Sequence, residues 1–130
     1  MRFNVVPLAT LVVVGLLIPL AGCGGPKEIV CKGKVTYDGK PVETGEIIFI
    51  QTTDGLVGAG QITNGEYTLV APGTGQLQVK ITANKVGDKP APDGLPNYIP
   101  YIPAKYNDKT KLTADVEDKP ENTINFELEK

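Results

Sequence analysis

Gln61-Ile62-Thr63-Asn64-Gly65-Glu66-Tyr67-Thr68-Leu69 is the stretch that decides the fold. Polar and apolar residues alternate on both sides of Asn64-Gly65, the period of a half-buried strand. Both central residues of a two-residue hairpin turn must accept positive φ, which Asn and Gly do at least cost. The stretch therefore predicts two antiparallel strands and a tight turn. Working outward, Gln76-Leu77-Gln78-Val79-Lys80-Ile81-Thr82 alternates without a fault. So does Thr123-Ile124-Asn125-Phe126-Glu127-Leu128-Glu129, and Leu112, Ala114 and Val116 alternate with Thr113, Asp115 and Glu117. Ile47-Ile48-Phe49-Ile50 is apolar on both sides and predicts a central or covered strand. Asp38-Gly39 and Ala71-Pro72-Gly73-Thr74-Gly75 supply further turns.

Short strands with turns at this spacing predict an all-β, about seven-stranded antiparallel sandwich over residues 29–130. Its inward faces are Cys31, Val35, Ile47, Phe49, Ile62, Tyr67, Leu69, Leu77, Val79, Ile81, Leu112, Val116, Ile124, Phe126 and Leu128. Residues 84–111 break the pattern, with Pro90, Pro92, Pro96, Pro100 and Pro103 among Tyr98, Tyr101 and Tyr106. Loops this long are usually functional or disordered. Val86 to Pro96 carries few apolar side chains, whereas Tyr98 to Tyr106 has enough to dock on the sandwich. The tyrosines thus form either a ligand-binding loop or a lid packed over the sheet edge.

Composition removes whole classes of chemistry. The chain has no His, no Ser and no Trp, so neither a Ser-His-Asp nor a Cys-His arrangement can be built. Zinc and similar metals lack their usual ligands, and the aspartates are scattered through turns without calcium-loop spacing. No catalytic residue, metal or cofactor is expected; a carboxylate-only glycosidase is the remaining enzymatic alternative. With net charge −2 and no basic stripe, the chain has no footprint for nucleic acid. Cys31 falls on the apolar side of Ile29 to Val35 and reads as a buried thiol, with an intermolecular disulfide or a reactive site as alternatives.

The N-terminus has the layout of an export signal: Arg2, then an uncharged run from Val5 to Ala21, then small residues. Leu20-Ala21-Gly22-Cys23 resembles the lipoprotein signal of bacteria. That resemblance implies removal of residues 1–22 and lipidation at Cys23, anchoring the chain to the membrane. A simple signal peptide or an uncleaved anchor is the alternative, although Pro7, Pro19 and Gly15 suit a span poorly. Residues 23–28 would then be the lipidated cysteine and a short tether. Gly24 follows Cys23 where the family's sorting rule puts Asp for inner-membrane retention, which implies the outer membrane.

Gly33-Lys34-Val35-Thr36-Tyr37-Asp38-Gly39-Lys40-Pro41-Val42, Gly45-Glu46-Ile47-Ile48-Phe49 and Gly60 to Leu69 together resemble carboxypeptidase regulatory-like domains. Ile102-Pro103-Ala104-Lys105-Tyr106 and Asn125-Phe126-Glu127-Leu128 look like the short planctomycete lipoproteins that carry this domain alone. The resemblance implies a Greek-key, transthyretin-like (prealbumin-like) sandwich without catalytic residues. In adhesin stalk modules of related fold a Lys–Asn isopeptide crosslink forms; here Lys32, Lys34, Asn122 and Asn125 would have to supply it, but alternation turns both lysines outward. The expected function is a non-catalytic, lipid-anchored structural or protein-interaction module of the envelope. The alternative is a carbohydrate- or peptide-binding module using Tyr98, Tyr101 and Tyr106.

Overall fold

Ten strands carry residues 27–130, which the computed structural model describes; the signal segment, Cys23 and the chain as far as Pro26 lie outside the described residues. They are β1 (Val30–Tyr37), β2 (Lys40–Pro41), β3 (Thr44–Ile50), β4 (Val57–Thr63), β5 (Glu66–Val70), β6 (Gly75–Val86), β7 (Tyr98–Pro100), β8 (Thr113–Val116), β9 (Glu121–Thr123) and β10 (Phe126–Leu128). The only helical element among the described residues is a 3₁₀ turn, Ala104–Tyr106. No helix there is long and apolar enough to cross a membrane.

Turn chemistry sets the hairpins as the sequence predicts. Asn64 and Gly65 have φ of 51° and 77°, and Asp38 and Gly39 have 51° and 78°. Both pairs are left-handed at each central residue, the twist that antiparallel partners require. The strands form one sheet in the order β10-β1-β5-β4-β3-β6-β7, with β2 and β9 also paired to β1 and β8 to β6. β3, the doubly apolar strand, is central between β4 and β6.

The sheet is not flat. β10 and β3 stand four places apart in the order, which would separate them by about 19 Å in a flat sheet at ~4.8 Å per strand. Yet the Phe126 and Phe49 rings meet edge-to-face at 6.1 Å. The sheet therefore curls into a sandwich-like half-barrel, and β4 and β5 leave their ladder beyond Ile62–Tyr67 to cross closely. A Cβ on Gly58 would strike the Val70 carbonyl oxygen, and one on Gly60 would come within 2.5 Å of the Thr68 carbonyl oxygen. Both glycines share the inner side of β4, so β5 can cross over that side with backbone on backbone. The β5–β1–β9/β10 side then faces the β4–β3–β6–β8 side across one core. Phe49, Tyr67 and Phe126 form its aromatic centre, with centroid separations of 6.0–6.1 Å.

Three sequence expectations change. The strands number ten, not seven, because short β2, β7 and β9 pair at the ends of longer strands. The sheet is not wholly antiparallel: β1 runs parallel to β9 and β10. The connection after β8 reaches the start of β1, where Val30 N–H donates to the Pro120 carbonyl, so β9 enters the sheet in the direction of β1. Finally, the faultless alternation of Thr123–Glu129 is interrupted as a ladder at Ile124-Asn125, where the chain passes over Gly33. The register is kept on both sides, and the Asn125 side-chain oxygen accepts from Lys34 N–H at 2.8 Å in place of a carbonyl.

Most inward residues of the sequence reading are buried, Cys31 among them; Leu112 and Ile124 are partly buried against the core. Val42, Ala83, Ile102 and Ala114 join them. Burial pushes the Cys31 thiol above its ordinary pKa, which suits a packing group and not a nucleophile. Of the candidates for an internal crosslink, Lys32 pairs with Glu121 at 2.7 Å, and the Asn122 side chain bonds both backbone groups of Glu117.

Candidate functional site

β1 begins at Val30 beside Val70 and ends at Tyr37 beside Lys40, so the molecule has two poles about 23 Å apart at ~3.3 Å per residue. The chain enters at the first. At the second, the far pole, lie the ends of β1 and β6, the start of β3, and β7.

Residues 84–111 are not one long loop. β6 continues to Val86, and Tyr98–Pro100 returns antiparallel along Asn84–Val86. Only the reversal between them is irregular, and it is closed by bonds from Gly87 N–H to the Asn97 carbonyl and from Ala91 N–H to the Leu95 carbonyl. Proline does not prevent the ladder because Pro100 ends β7, where its missing donor is not needed.

After β7 the chain turns inward. Tyr101 N–H donates to the Ala83 carbonyl and Ile102 is buried. The Asn107 amide nitrogen lies 3.2–3.4 Å from the carbonyls of Ile81, Ile102 and Pro103, and its oxygen accepts from Asp108 N–H. Thr110, also buried, donates its hydroxyl to the Val79 carbonyl at 2.6 Å. These polar side chains pin residues 101–110 to β6 by supplying donors to carbonyls that the irregular backbone cannot satisfy.

The three candidate tyrosines separate in this arrangement. Tyr101 is half-buried and meets Tyr37 edge-to-face at 5.7 Å. Tyr98 is 63% exposed and stands beside them on the same groove. Tyr106 lies elsewhere: it packs on the core, accepts Glu129 N–H on its hydroxyl at 2.8 Å, and carries the Lys105 ammonium 5.2 Å above its ring. Tyr98 and Tyr101 are thus groove residues, while Tyr106 and the body of Tyr101 form the packed lid.

The groove is open, about 1520 Å³, and lies between the β1–β2 turn, the start of β3 and the end of β6. Asp38, Glu43 and Glu46 line it together with Lys40, Lys85 and Lys130, so no single sign of charge dominates. Lys130 reaches Asp38 at 3.2 Å across its rim. Burial raises the Tyr101 phenol above its ordinary pKa, and the Glu43 carboxylate and Tyr37 push in the same direction. Tyr101 is therefore held in its neutral phenol form. No group of three or more His, Cys, Asp or Glu side chains that could hold a metal occurs among the described residues.

Sequence reasoning missed Tyr37 and Glu43. Tyr37 continues the inward phase of Cys31 and Val35, a signal that was available; Glu43 sits in a connection whose position no periodicity specifies.

Compared with known proteins, the chain matches no family model. No curated protein matches it. Among solved structures it is similar to a 9R-lipoxygenase from Cyanothece PCC8801, with 16% identity over 79% of this chain and a TM-score of 0.38. The match spans 16% of that much longer chain, and at this score the likeness bears on neither fold nor activity.

Proposed function

We propose that this chain is an exported, non-catalytic β-sandwich, anchored to the outer membrane through lipid on Cys23, that serves as a structural or protein-interaction module of the envelope. Its fold in this reading is the Greek-key, transthyretin-like sandwich of carboxypeptidase regulatory-like domains. The two-sided core and the hairpin crossing between its sides support that assignment. One observation carries the functional reading: Val86 and Tyr98, directly opposite each other on the β6–β7 ladder, are exposed at the far pole, opposite the entry of the chain, with Leu95 and Ile99 exposed in the same hairpin. Clustered exposed apolar groups mark contact surfaces more than scattered ones do, and a tether of a few residues presents that pole away from the bilayer.

The anchor is tested by Cys23→Ala in the expressed precursor. Loss of the protein from the detergent phase is expected, because acyl chains supply the membrane affinity; retention in the detergent phase with residues 1–22 still attached would mean a spanning anchor.

The groove favours a second reading, a carbohydrate- or peptide-binding module. Tyr37 and Tyr101 meet there and Tyr98 lines the same groove, and aromatic stacking is worth about 1 kcal/mol per contact. Tyr98→Ala with Tyr101→Ala separates the two. Binding on glycan and peptide arrays that vanishes with stability retained supports the module as a binder; no array signal in the parent protein refutes it.

A further inference from the structure

Seven large apolar side chains are well exposed among the described residues, and all lie at the poles. Four are at the far pole. The other three, Leu56, Val57 and Val70, are at the entry pole, where the chain arrives from Cys23. Strand β4 starts there with Val57 opposite Ile50, and β5 ends there with Val70 opposite Val30. The two strand backbones touch at that end, where a Cβ on Gly58 would meet both the Val70 carbonyl oxygen and the Pro72 ring. Val57 and Val70 leave from the outward sides of the two layers, so with Leu56 they rim the pole. Ala71 N–H donates to the Ile29 carbonyl, joining this surface directly to the incoming chain. The middle of the molecule, by contrast, presents Lys34 and Thr68 to solvent.

We infer that the entry pole, rimmed by Leu56, Val57 and Val70, is seated in the interface of the lipid bilayer, fixing the molecule upright with its groove facing away. The inference rests on the lipid anchor proposed at Cys23. Five residues separate Cys23 from Ile29, and these six Cα–Cα steps reach at most about 21 Å when fully extended. The anchor thus keeps this pole close to the membrane surface and the far pole at the end of a longer reach. Side chains placed there at high effective concentration need little intrinsic affinity to insert. Charge does not supply the attraction: Lys32 and Lys119 are paired with Glu121 and Glu117, and the other charged residues of the neighbouring segments, Lys27, Glu28, Asp54 and Asp118, are more acidic than basic. The contact is therefore apolar and independent of anionic lipid.

The test uses the mature lipoprotein in phosphatidylcholine vesicles, carrying an environment-sensitive fluorophore on Leu56→Cys or, at the far pole, on Lys40→Cys. Cys31 is buried and does not compete for the label. Val70→Cys repeats the measurement should Leu56→Cys fold poorly. A blue shift at position 56 or 70 with quenching by lipid-borne quencher, and neither at position 40, is expected, unchanged by added salt. Vesicle-bound protein with labels at positions 56 and 70 in water overturns the seat and leaves the anchor intact. Quenching at position 40 as well means a molecule lying on its side. A blue shift without lipid quenching means a protein contact; either result overturns the inference. Protein that fails to float with the vesicles refutes the anchor, and the seat with it.

Discussion

Phe126→Ala probes the closure of the curled sheet. Phe126 is 5% exposed on β10, a three-residue edge strand, and its ring meets Phe49 at 6.1 Å and Tyr67 at 6.0 Å. Truncation removes a large buried apolar surface and two aromatic contacts, and the surrounding cavity cannot collapse while β1 holds the β10 backbone in register. Phe→Ala changes in cores cost about 3–5 kcal/mol, a large part of the ~5–15 kcal/mol that holds a domain folded. With a urea dependence of about 1–3 kcal/mol per molar, the midpoint should fall by at least ~1 M. Glu127→Ala, on the same strand but facing water, should change stability by less than ~0.5 kcal/mol. Urea titrations of the soluble domain followed by circular dichroism measure both. Equal midpoints would show that β10 does not close the core and that the curl is drawn wrongly.

Other outcomes follow from the polar pins and the phenols. Asn107→Ala should cost about 1–2 kcal/mol, since three carbonyls share its amide; trypsin should then cut at Lys105 in the variant and not in the parent. Subtilisin should nick the native domain first between Asp88 and Pro96, sparing the paired Asn84–Val86; early cutting within Asn84–Val86 would contradict the β6–β7 ladder. Burial, aided by Cys31, raises the Tyr67 phenol, and burial raises that of Tyr101. Phenols whose folded pKa exceeds the unfolded value stabilise fully below ~10, and that contribution is lost as pH rises through the folded value. Urea midpoints should therefore hold to about pH 9 and drop above ~10, with a shallower drop in Tyr67→Phe. An equally steep drop in that variant would assign the alkaline loss to other groups.

Local physics is legible in the sequence wherever neighbours along the chain suffice. Period-two alternation told inward from outward along β5, β6 and β10, because successive side chains of a strand must leave on opposite sides. Asn64-Gly65 and Asp38-Gly39 located their hairpins because only such residues accept two positive φ values in succession. The partition of Tyr106 from Tyr98 and Tyr101 was not legible: all three sit among prolines with the same local character, and what separates them is Asn107 reaching carbonyls on two different segments. The crossing at Gly58 and Gly60 was equally hidden, since a glycine in a strand does not say whose backbone will pass over it. Nor could the parallel return of β9 and β10 be read from alternation, which is the same in either direction. The sequence by itself determined the longer strands, their buried sides and the Asn64-Gly65 and Asp38-Gly39 turns, but not the short strands β2, β7 and β9, which exist only through pairing with longer strands. The poles, the groove between Tyr37 and Tyr98, and the surface around Leu56 were decided only by the tertiary structure, because each depends on which distant backbones meet when the sheet curls around Phe49.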